Sequence, residues 1–123
     1  MNVFKWFGWR VSVRSLVMSS YKRGLARTKG RDPQGAMDDF TAAIEARDAP
    51  ADVKAMALYN RALLFAAVHD IAKANDDLQA VLAMAAPLPE IKLAAKRRLE
   101  RMRNRPIENA PAPPAQKASN KSL

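Results

Sequence analysis

The feature that most constrains this chain of 123 residues is an internal repeat with a period of 38 residues. When the sequence is shifted by one period, without a gap, identical residues coincide at Tyr21 and Tyr59, Arg23 and Arg61, Leu25 and Leu63, Asp32 and Asp70, Ala36 and Ala74, Asp38-Asp39 and Asp76-Asp77, and Ala42 and Ala80. Apolar character is kept where identity is lost, because Phe40 falls on Leu78 and Ile44 on Leu82. A fixed period of about 20–50 residues is typical of stacked supersecondary units. We therefore expect one such unit to be present twice.

Each unit is predicted to be a pair of α-helices. Apolar residues recur three and four positions apart, and no stretch alternates with period two. The start and stop signals predict five helices: about Val11 to Lys29 before Gly30, an Asp32-Pro33 cap to a stop before Pro50, an Asp52 cap through Val68, an Asp70 cap to Pro87, and about Pro89 to Asn104. The predicted fold class is all-α.

The motifs in the two units resemble those of a known repeat family. The first unit reads Tyr21-Lys22-Arg23-Gly24 before Ala36, Asp39-Phe40 and Ala43, and the second reads Tyr59-Asn60-Arg61-Ala62 before Ala74, Asp77-Leu78 and Val81. Over about residues 18–104, this pattern resembles the tetratricopeptide repeat (TPR) family, in its bacterial-type Tyr-Asn-Arg-Gly/Ala variant. The resemblance implies a helical-hairpin solenoid of two repeats plus a C-terminal cap helix. The family period is about 34 residues, so the longer period here predicts a longer second helix or loop.

Small residues and paired charges are predicted to hold each unit together. Gly24 and Ala62 fall where the paired helix is expected to cross closely. The acid pairs Asp38-Asp39 and Asp76-Asp77 each follow an arginine of the first helix by fifteen or sixteen residues. We interpret them as structural ion-pair partners of those arginines, rather than as catalytic or metal-binding carboxylates.

The absence of certain residue types excludes several classes of chemistry. The chain contains no Cys and a single His, His69. This composition excludes iron–sulfur clusters, disulfides, thiol catalysis, structural zinc and any site that needs two imidazoles. His69 precedes the capping Asp70, and we interpret it as an exposed turn residue because no nucleophile lies near it in the sequence. We therefore expect a non-catalytic protein without a cofactor or a metal.

Charge and composition divide the chain into an arm, a helical domain and a tail. Residues 1–31 carry a net charge of +8, residues 32–89 of −5 and residues 90–123 of +6, which favours anionic partners at the two ends. Residues 1–10 form an aromatic and basic N-terminal arm, and residues 11–104 form the TPR-like helical domain. Residues 105–123 are rich in Pro and Ala, and we predict that they are disordered.

The arm contains five bulky apolar residues within nine positions, two of them Trp. Because exposing this many large side chains to water is costly, we expect residues 1–9 to be buried against something. Three interpretations remain open. The arm packs on the repeats, docks in a partner or a second copy of the chain, or lies in a membrane interface, where Trp and basic residues are favoured.

The resemblance also implies a peptide-binding groove, formed by one face of each first helix. The residues implied are Met18, Tyr21, Lys22, Leu25, Lys29, Met56, Tyr59, Asn60, Leu63, Ala67, Arg97, Arg98 and Arg101. Asn60 and Arg98 coincide with two members of the family's carboxylate-holding clamp, whereas Tyr21, Leu25 and Ala94 stand at its other positions. The implied groove has an apolar, tyrosine-lined floor with basic groups at both ends. Such a groove suits a peptide that is apolar in its middle and acidic at an end.

Two functions follow from these observations. The first is a non-catalytic adaptor that binds a protein or peptide, which could be acidic, through the groove. The alternative is a basic peripheral protein that contacts anionic membrane or RNA through its arm and its C-terminal basic helix, where Arg98 is expected to face solvent. Nucleic acid is the weaker candidate, because the basic run from Lys96 to Arg105 lacks interleaved aromatic residues. We expect a cytoplasmic location, with peripheral membrane contact or homo-oligomerisation through residues 1–9 left open.

Overall fold

The structure, a computed structural model, describes residues 12–104, and these residues form five α-helices and no strand. The predictions made for the arm and for the tail lie outside the described residues. The helices are α1 (Val13–Lys29), α2 (Pro33–Glu45), α3 (Ala51–Ala67), α4 (Ile71–Ala83) and α5 (Pro89–Asn104). The all-α prediction is therefore confirmed for this part of the chain. The second helix of each pair has 13 residues and the first has 17.

Side-chain caps begin α2 and α4 as the sequence predicts. The Asp32 carboxylate accepts a hydrogen bond from the backbone N–H of Gly35 at 3.0 Å, and Asp70 accepts one from Lys73 at 3.2 Å. Each bond satisfies one of the free N–H groups that a helix leaves at its first turn. Pro33 follows the first cap, at a position where its missing N–H costs no bond.

Two predicted helix ends are wrong. The residue that caps α3 is Pro50, which offers no side-chain hydrogen bond, and Asp52 is the second residue of that helix. The Asp52 carboxylate lies in the first turn, where the helix dipole favours negative charge. It accepts hydrogen bonds from the Arg14 side chain of α1 instead of capping α3. The fourth helix ends at Ala83 and not at Pro87, because the chain turns extended at Met84.

The caps lead to a first testable prediction. We expect Asp32→Ala and Asp70→Ala each to lower the free energy of unfolding by about 1 kcal/mol, because each leaves a first-turn N–H without its acceptor. Chemical denaturation of the full chain measures this. Asp76→Ala, an exposed substitution within α4, is the matched control and should change stability by about 0.5 kcal/mol or less. A control effect equal to that of Asp70→Ala would contradict a specific capping role.

The turns inside the two helix pairs have the same backbone geometry, one period apart. Arg31 and His69 both adopt the left-handed conformation, with φ of 59° and 63°. The next residue, Asp32 or Asp70, donates its N–H to the carbonyl five residues earlier, at 2.8 Å in both turns. The sequence repeat is therefore also a repeat of backbone structure at this point.

The buried core repeats with the same period. One cluster of buried residues joins α1, α2 and α3, and a second joins α3, α4 and α5. The first contains Val17, Ala36, Phe40, Ala43, Val53 and Ala57. One period later these positions are Ala55, Ala74, Leu78, Val81, Ile91 and Ala95, all of which belong to the second cluster or pack against it. Each core therefore needs a helix pair and the first helix of the following unit.

The helices form two layers. Each helix packs against its neighbours in sequence, α3 also packs against α1 and α5, and no contact joins α2 to α4 among the described helices. Helices α1, α3 and α5 therefore lie side by side in one layer, which we call the odd-helix layer. Arg14 of α1 pairs with Asp52 of α3, exactly one period later in the sequence, so these two helices run parallel and in register.

Several positions that are buried or half-buried in α3 are exposed in the two terminal helices of the described residues, α1 and α5. In α3, Leu58 and Ala62 are buried, whereas the equivalent α5 residues, Lys96 and Glu100, are exposed. At the other end, the α1 residues Ser15, Ser19 and Ala26 are exposed where α3 has Val53, Ala57 and Leu64. Polar outer faces are typical of the terminal units of a helical array. Helix α1 also exposes two large apolar residues, Val13 and Leu16, and α5 exposes Leu93.

Candidate functional site

The second acid of each pair, Asp39 or Asp77, forms an ion pair between the two helices of its unit. Asp39 and Asp77 are 4% and 6% exposed, and each faces an arginine of the preceding helix. Arg23 Nε donates to Asp39 at 2.9 Å, and Arg61 donates to both Asp77 oxygens at 2.8 Å. The predicted ion pair within each unit is confirmed. Both oxygens of Asp77 are hydrogen-bonded, whereas the second oxygen of Asp39, Oδ2, lies 3.2 Å from Arg27 without forming a hydrogen bond within the described residues.

The second of these ion pairs is the more enclosed. The Arg61 side chain is 18% exposed, against 57% for Arg23. Arg61 also donates to the Thr41 hydroxyl of α2 at 3.1 Å and lies 5.6 Å from the centre of the Phe65 ring. Its bond to Asp77 raises its pKa above the ordinary value, so it remains a permanent cation. Arg61 thereby links three helices.

The thirteen predicted groove residues lie on α1, α3 and α5 but differ in their exposure. Those that pack against the buried clusters while keeping part of their surface exposed are Met18, Tyr21, Leu25, Met56 and Tyr59. Those that are half-buried outside the clusters are Asn60, Leu63 and Arg98, and those that are exposed are Lys22, Lys29, Ala67, Arg97 and Arg101. Most apolar residues of the predicted groove floor therefore also pack against the hydrophobic core. The prediction that Arg98 faces solvent is wrong, because the residue is half-buried and its Nε atom is buried.

One hydrogen bond joins predicted groove residues of different helices. The Asn60 side-chain amide donates to the Tyr21 hydroxyl at 3.1 Å and to the Met56 carbonyl at 2.9 Å. The Tyr21 ring also lies 5.9 Å from that of Phe40. Burial raises the pKa of Tyr21, and the bond from Asn60 opposes that rise. Tyr21 thus stays protonated at neutral pH and connects α1 to α3.

Helices α1, α3 and α5 begin one period apart, at Val13, Ala51 and Pro89, so residues 38 positions apart occupy equivalent places on them, and we call each such set a row. The first row is Met18, Met56 and Ala94, the second is Lys22, Asn60 and Arg98, and the third is Leu25, Leu63 and Arg101. The first row is apolar, and the second is polar with a cation on each flanking helix. On α3, the second and third rows present an amide and a leucine.

The flanking cations have no acidic partner within residues 12–104. Lys22 and Lys29 on α1, and Arg97, Arg98 and Arg101 on α5, form no ion pair there. The Nε atom of Arg98 is buried and has no hydrogen-bond partner in this part of the chain. A buried donor without an acceptor is costly.

Folding separates charge between the two layers. Helices α1, α3 and α5 carry thirteen basic and three acidic residues, a net charge of +10. Helices α2 and α4 carry one basic and five acidic residues, a net charge of −4. The basic helices α1 and α5 thus come to lie in the same layer. Such a layer attracts anionic partners over distances of about 10 Å at ordinary ionic strength.

The sequence analysis did not predict an ion pair that joins the two units near the start of α1 and α3. Arg14 donates to both oxygens of Asp52, at 3.0 and 2.7 Å. This bond lowers the pKa of Asp52 and raises that of Arg14. The sequence did contain a signal for this pair, because Arg14 and Asp52 have opposite charges and stand one period apart. The pair is exposed, so it fixes register more than it adds stability.

The described residues offer no other obvious site. Among them, no cluster of three His, Asp or Glu side chains could hold a metal ion. None of the five described helices is both long and apolar enough to cross a membrane. His69 is exposed in its turn, as predicted. The chain matches no protein-family model, no curated protein and no solved structure.

Proposed function

We propose that the helical domain is a short TPR-like solenoid of two helix pairs closed by α5 as a cap. The support is the 38-residue repeat, which recurs in the turns, the caps, the ion pairs and both core clusters. The side-by-side packing of the odd helices, with α2 and α4 apart, agrees with a stacked array. The exposed Lys96 and Glu100 of α5, at positions where α3 has the buried Leu58 and Ala62, agree with a cap helix.

We further propose that the protein is a non-catalytic adaptor that binds a peptide or protein on the odd-helix layer. The observation that carries this proposal is the row arrangement, in which α1 and α5 carry cations that form no ion pair among residues 12–104, on either side of an uncharged groove segment of α3. A rigid surface with apolar, hydrogen-bonding and charged groups in fixed order can recognise a polypeptide. We place this protein in the cytoplasm as part of the same proposal.

Leu63 is the residue on which to test the groove. It is half-buried, lies outside both core clusters and stands at the middle of the third row. Met18, Tyr21 and Met56 pack against the core, so their removal would disturb the fold as well as the surface. Leu93 is a matched residue of the same type, because it is 47% exposed on α5 and stands outside the rows.

We expect Leu63→Ser to weaken peptide binding about tenfold, because a buried leucine contact contributes about 1.5–3 kcal/mol and only part of the side chain is available. The measurement is fluorescence titration of the full chain with peptides selected on it from a random library. Leu93→Ser should leave the affinity within about twofold of the parent value. Equal losses from both substitutions, with both variants folded, would place the peptide elsewhere.

A second candidate is supported by the charge of the layer itself. A net charge of +10 on α1, α3 and α5 also suits the phosphates of RNA or of an anionic membrane. Salt separates the two candidates. Phosphate binding should fall steeply as ionic strength rises, with a log–log slope set by the number of phosphates contacted. Binding of a partly apolar peptide should fall much less.

A further inference from the structure

The first turn of α1 exposes two apolar side chains. Val13 is 44% exposed and Leu16 is 59% exposed, and these residues lie three positions apart, on one face of the helix. The neighbouring Ser12 and Ser15 are exposed and polar, and the Ser12 hydroxyl accepts a hydrogen bond from the backbone N–H of Ser15 as the helix cap. Among the described residues, Val13 and Leu16 therefore form a small apolar patch, which we call the first-turn patch.

Stacking of the units does not explain the leucine of this patch. The residue one period after Leu16 is Lys54 and the residue two periods after it is Lys92, and both lysines are half-buried. The Lys92 ammonium donates to the backbone carbonyl of Met84, in the connection that leads into α5. Leucine has no donor for such a bond, so the exposed side chain of Leu16 indicates a contact that the other units do not make.

The chain that leads into α1 continues this apolar spacing. Trp6 and Trp9 precede Val13 by seven and four residues, so positions 6, 9, 13 and 16 follow the three-and-four spacing of one helix face. The two tryptophans belong to the N-terminal arm, which lies outside the described residues. Lys5 and Arg10 stand beside them in the sequence. Tryptophan with basic residues, next to aliphatic side chains, is the composition favoured where lipid head groups meet hydrocarbon.

Charge also restricts the partner of the first-turn patch. Residues 1–31 contain eight basic residues and no acidic residue, and α1 alone contains five basic residues. The acidic Asp52, which contacts this turn, is already paired with Arg14. A second copy of the chain would bring another net charge of +8 to the same place and would be repelled. An anionic surface, in contrast, would be attracted over about 10 Å at ordinary ionic strength.

We infer that the first-turn patch and the aromatic residues before it bind the interface of an anionic lipid bilayer. Val13, Leu16 and the two tryptophans enter the boundary between head groups and acyl chains, and the basic residues of α1 and of the arm face the lipid phosphates. This inference deepens the second candidate function, on which it rests, because it names the bilayer as the partner and adds an apolar contact to the attraction between charges.

The peptide groove remains available in this arrangement. Met18, a predicted groove residue, follows Leu16 by two positions, which is about 200° around the helix axis. The membrane-binding face and the groove face of α1 therefore point in nearly opposite directions. A protein bound in this way can hold a peptide or protein partner at the membrane surface.

The two aliphatic side chains favour lipid over RNA as the partner of this patch. Nucleotide bases stack on flat aromatic rings, so single-stranded RNA suits the tryptophans but offers Val13 and Leu16 no stacking contact. Phosphate binding alone would leave both side chains in water. A bilayer interface accepts the tryptophans, the aliphatic side chains and the cations together.

The test measures binding of the full chain to lipid vesicles through its own fluorescence. Trp6 and Trp9 are the only tryptophans in the sequence, so the emission reports on the arm alone. Vesicles of equal parts phosphatidylcholine and phosphatidylglycerol should shift the emission to shorter wavelength and give saturable binding. Pure phosphatidylcholine vesicles should bind about tenfold more weakly, because they lack net negative charge. A single-stranded RNA oligonucleotide is titrated in parallel.

Leu16→Ser and Val13→Ser should each weaken binding to the anionic vesicles about fivefold, because each removes an aliphatic side chain that enters the interface. Both variants keep the tryptophans, and both replace exposed residues, so circular dichroism should show a folded protein. Leu93→Ser, at a residue of α5 that is 47% exposed, is the matched control and should change binding by less than about twofold. Added salt should weaken binding of the parent chain but should leave the effect of Leu16→Ser in place, because salt screens charges and not apolar contacts.

The outcomes separate this inference from the proposed functions. Vesicle binding that is unchanged in Leu16→Ser and Val13→Ser and disappears at high salt would overturn the inference, while phosphate binding by charge would stand. If no vesicle binds, the inference and the membrane form of the second candidate are both overturned, and the groove variants still test the adaptor. Tryptophan emission that is already at short wavelength without vesicles, and does not change with them, would place the arm on the protein instead. Binding of the RNA without binding of vesicles would make this basic surface an RNA-binding site.

Discussion

Replacing Arg61 by Ala is expected to lower the free energy of unfolding by about 3–5 kcal/mol, the range for a buried ion pair broken from one side. The cause is the carboxylate left behind. Asp77 is 6% exposed and receives both of its side-chain hydrogen bonds from Arg61. The substitution also removes the bond to Thr41 and the contact with the Phe65 ring. Chemical denaturation followed by circular dichroism measures the change.

Arg23→Ala is the informative comparison, because it removes the equivalent residue one period earlier. We expect a smaller loss, of about 1–2 kcal/mol, since Asp39 keeps Arg27 at 3.2 Å and Arg23 is itself largely exposed. Arg97→Ala, an exposed substitution on α5, should cost about 0.5 kcal/mol or less. Equal and small effects at all three positions would mean that the ion pairs do not hold the helix pairs together.

A second large effect is expected from Gly24→Ala, which should destabilise the protein by about 2 kcal/mol although alanine favours helices. A Cβ atom at this position would lie 2.6 and 2.8 Å from two carbons of the Phe40 ring. That ring is 1% exposed and closely packed, so it has no room to move away. In the second unit, the residues equivalent to Gly24 and Phe40 are Ala62 and Leu78.

The second unit therefore suggests a double-mutant cycle in the first unit, in which Gly24 and Phe40 are replaced by the Ala and Leu found one period later. Phe40→Leu alone should cost about 1 kcal/mol by leaving a small cavity. Combined with Gly24→Ala, it recreates the pairing found one period later, and we expect the double variant to recover about 1–2 kcal/mol relative to the sum of the single losses. Additive losses in thermal and chemical denaturation would show that the contact between α1 and α2 does not limit residue size.

Much of the local structure follows from residues close together in the sequence. The caps of α2 and α4 depend on an Asp side chain and a backbone N–H three residues later, and α5 begins at Pro89 as the punctuation predicts. The ion pairs of Arg23 and Arg61 were also predictable, because the same spacing from arginine to aspartate occurs in both units. The mistaken Asp52 cap shows the limit, since its carboxylate is engaged by Arg14 from a different helix.

The sequence by itself determined the helices, their duplication, the close crossing at Gly24 and the pairing of Arg61 with Asp77, because each depends on a short spacing or on its recurrence. Only the tertiary structure decided how the basic ends combine. It brings α1 and α5 to opposite sides of α3, separates a layer of +10 from one of −4, and buries part of Arg98. The sequence gives the net charge of each segment along the chain. It does not say which helices pack side by side, and the charge of a surface depends on that packing.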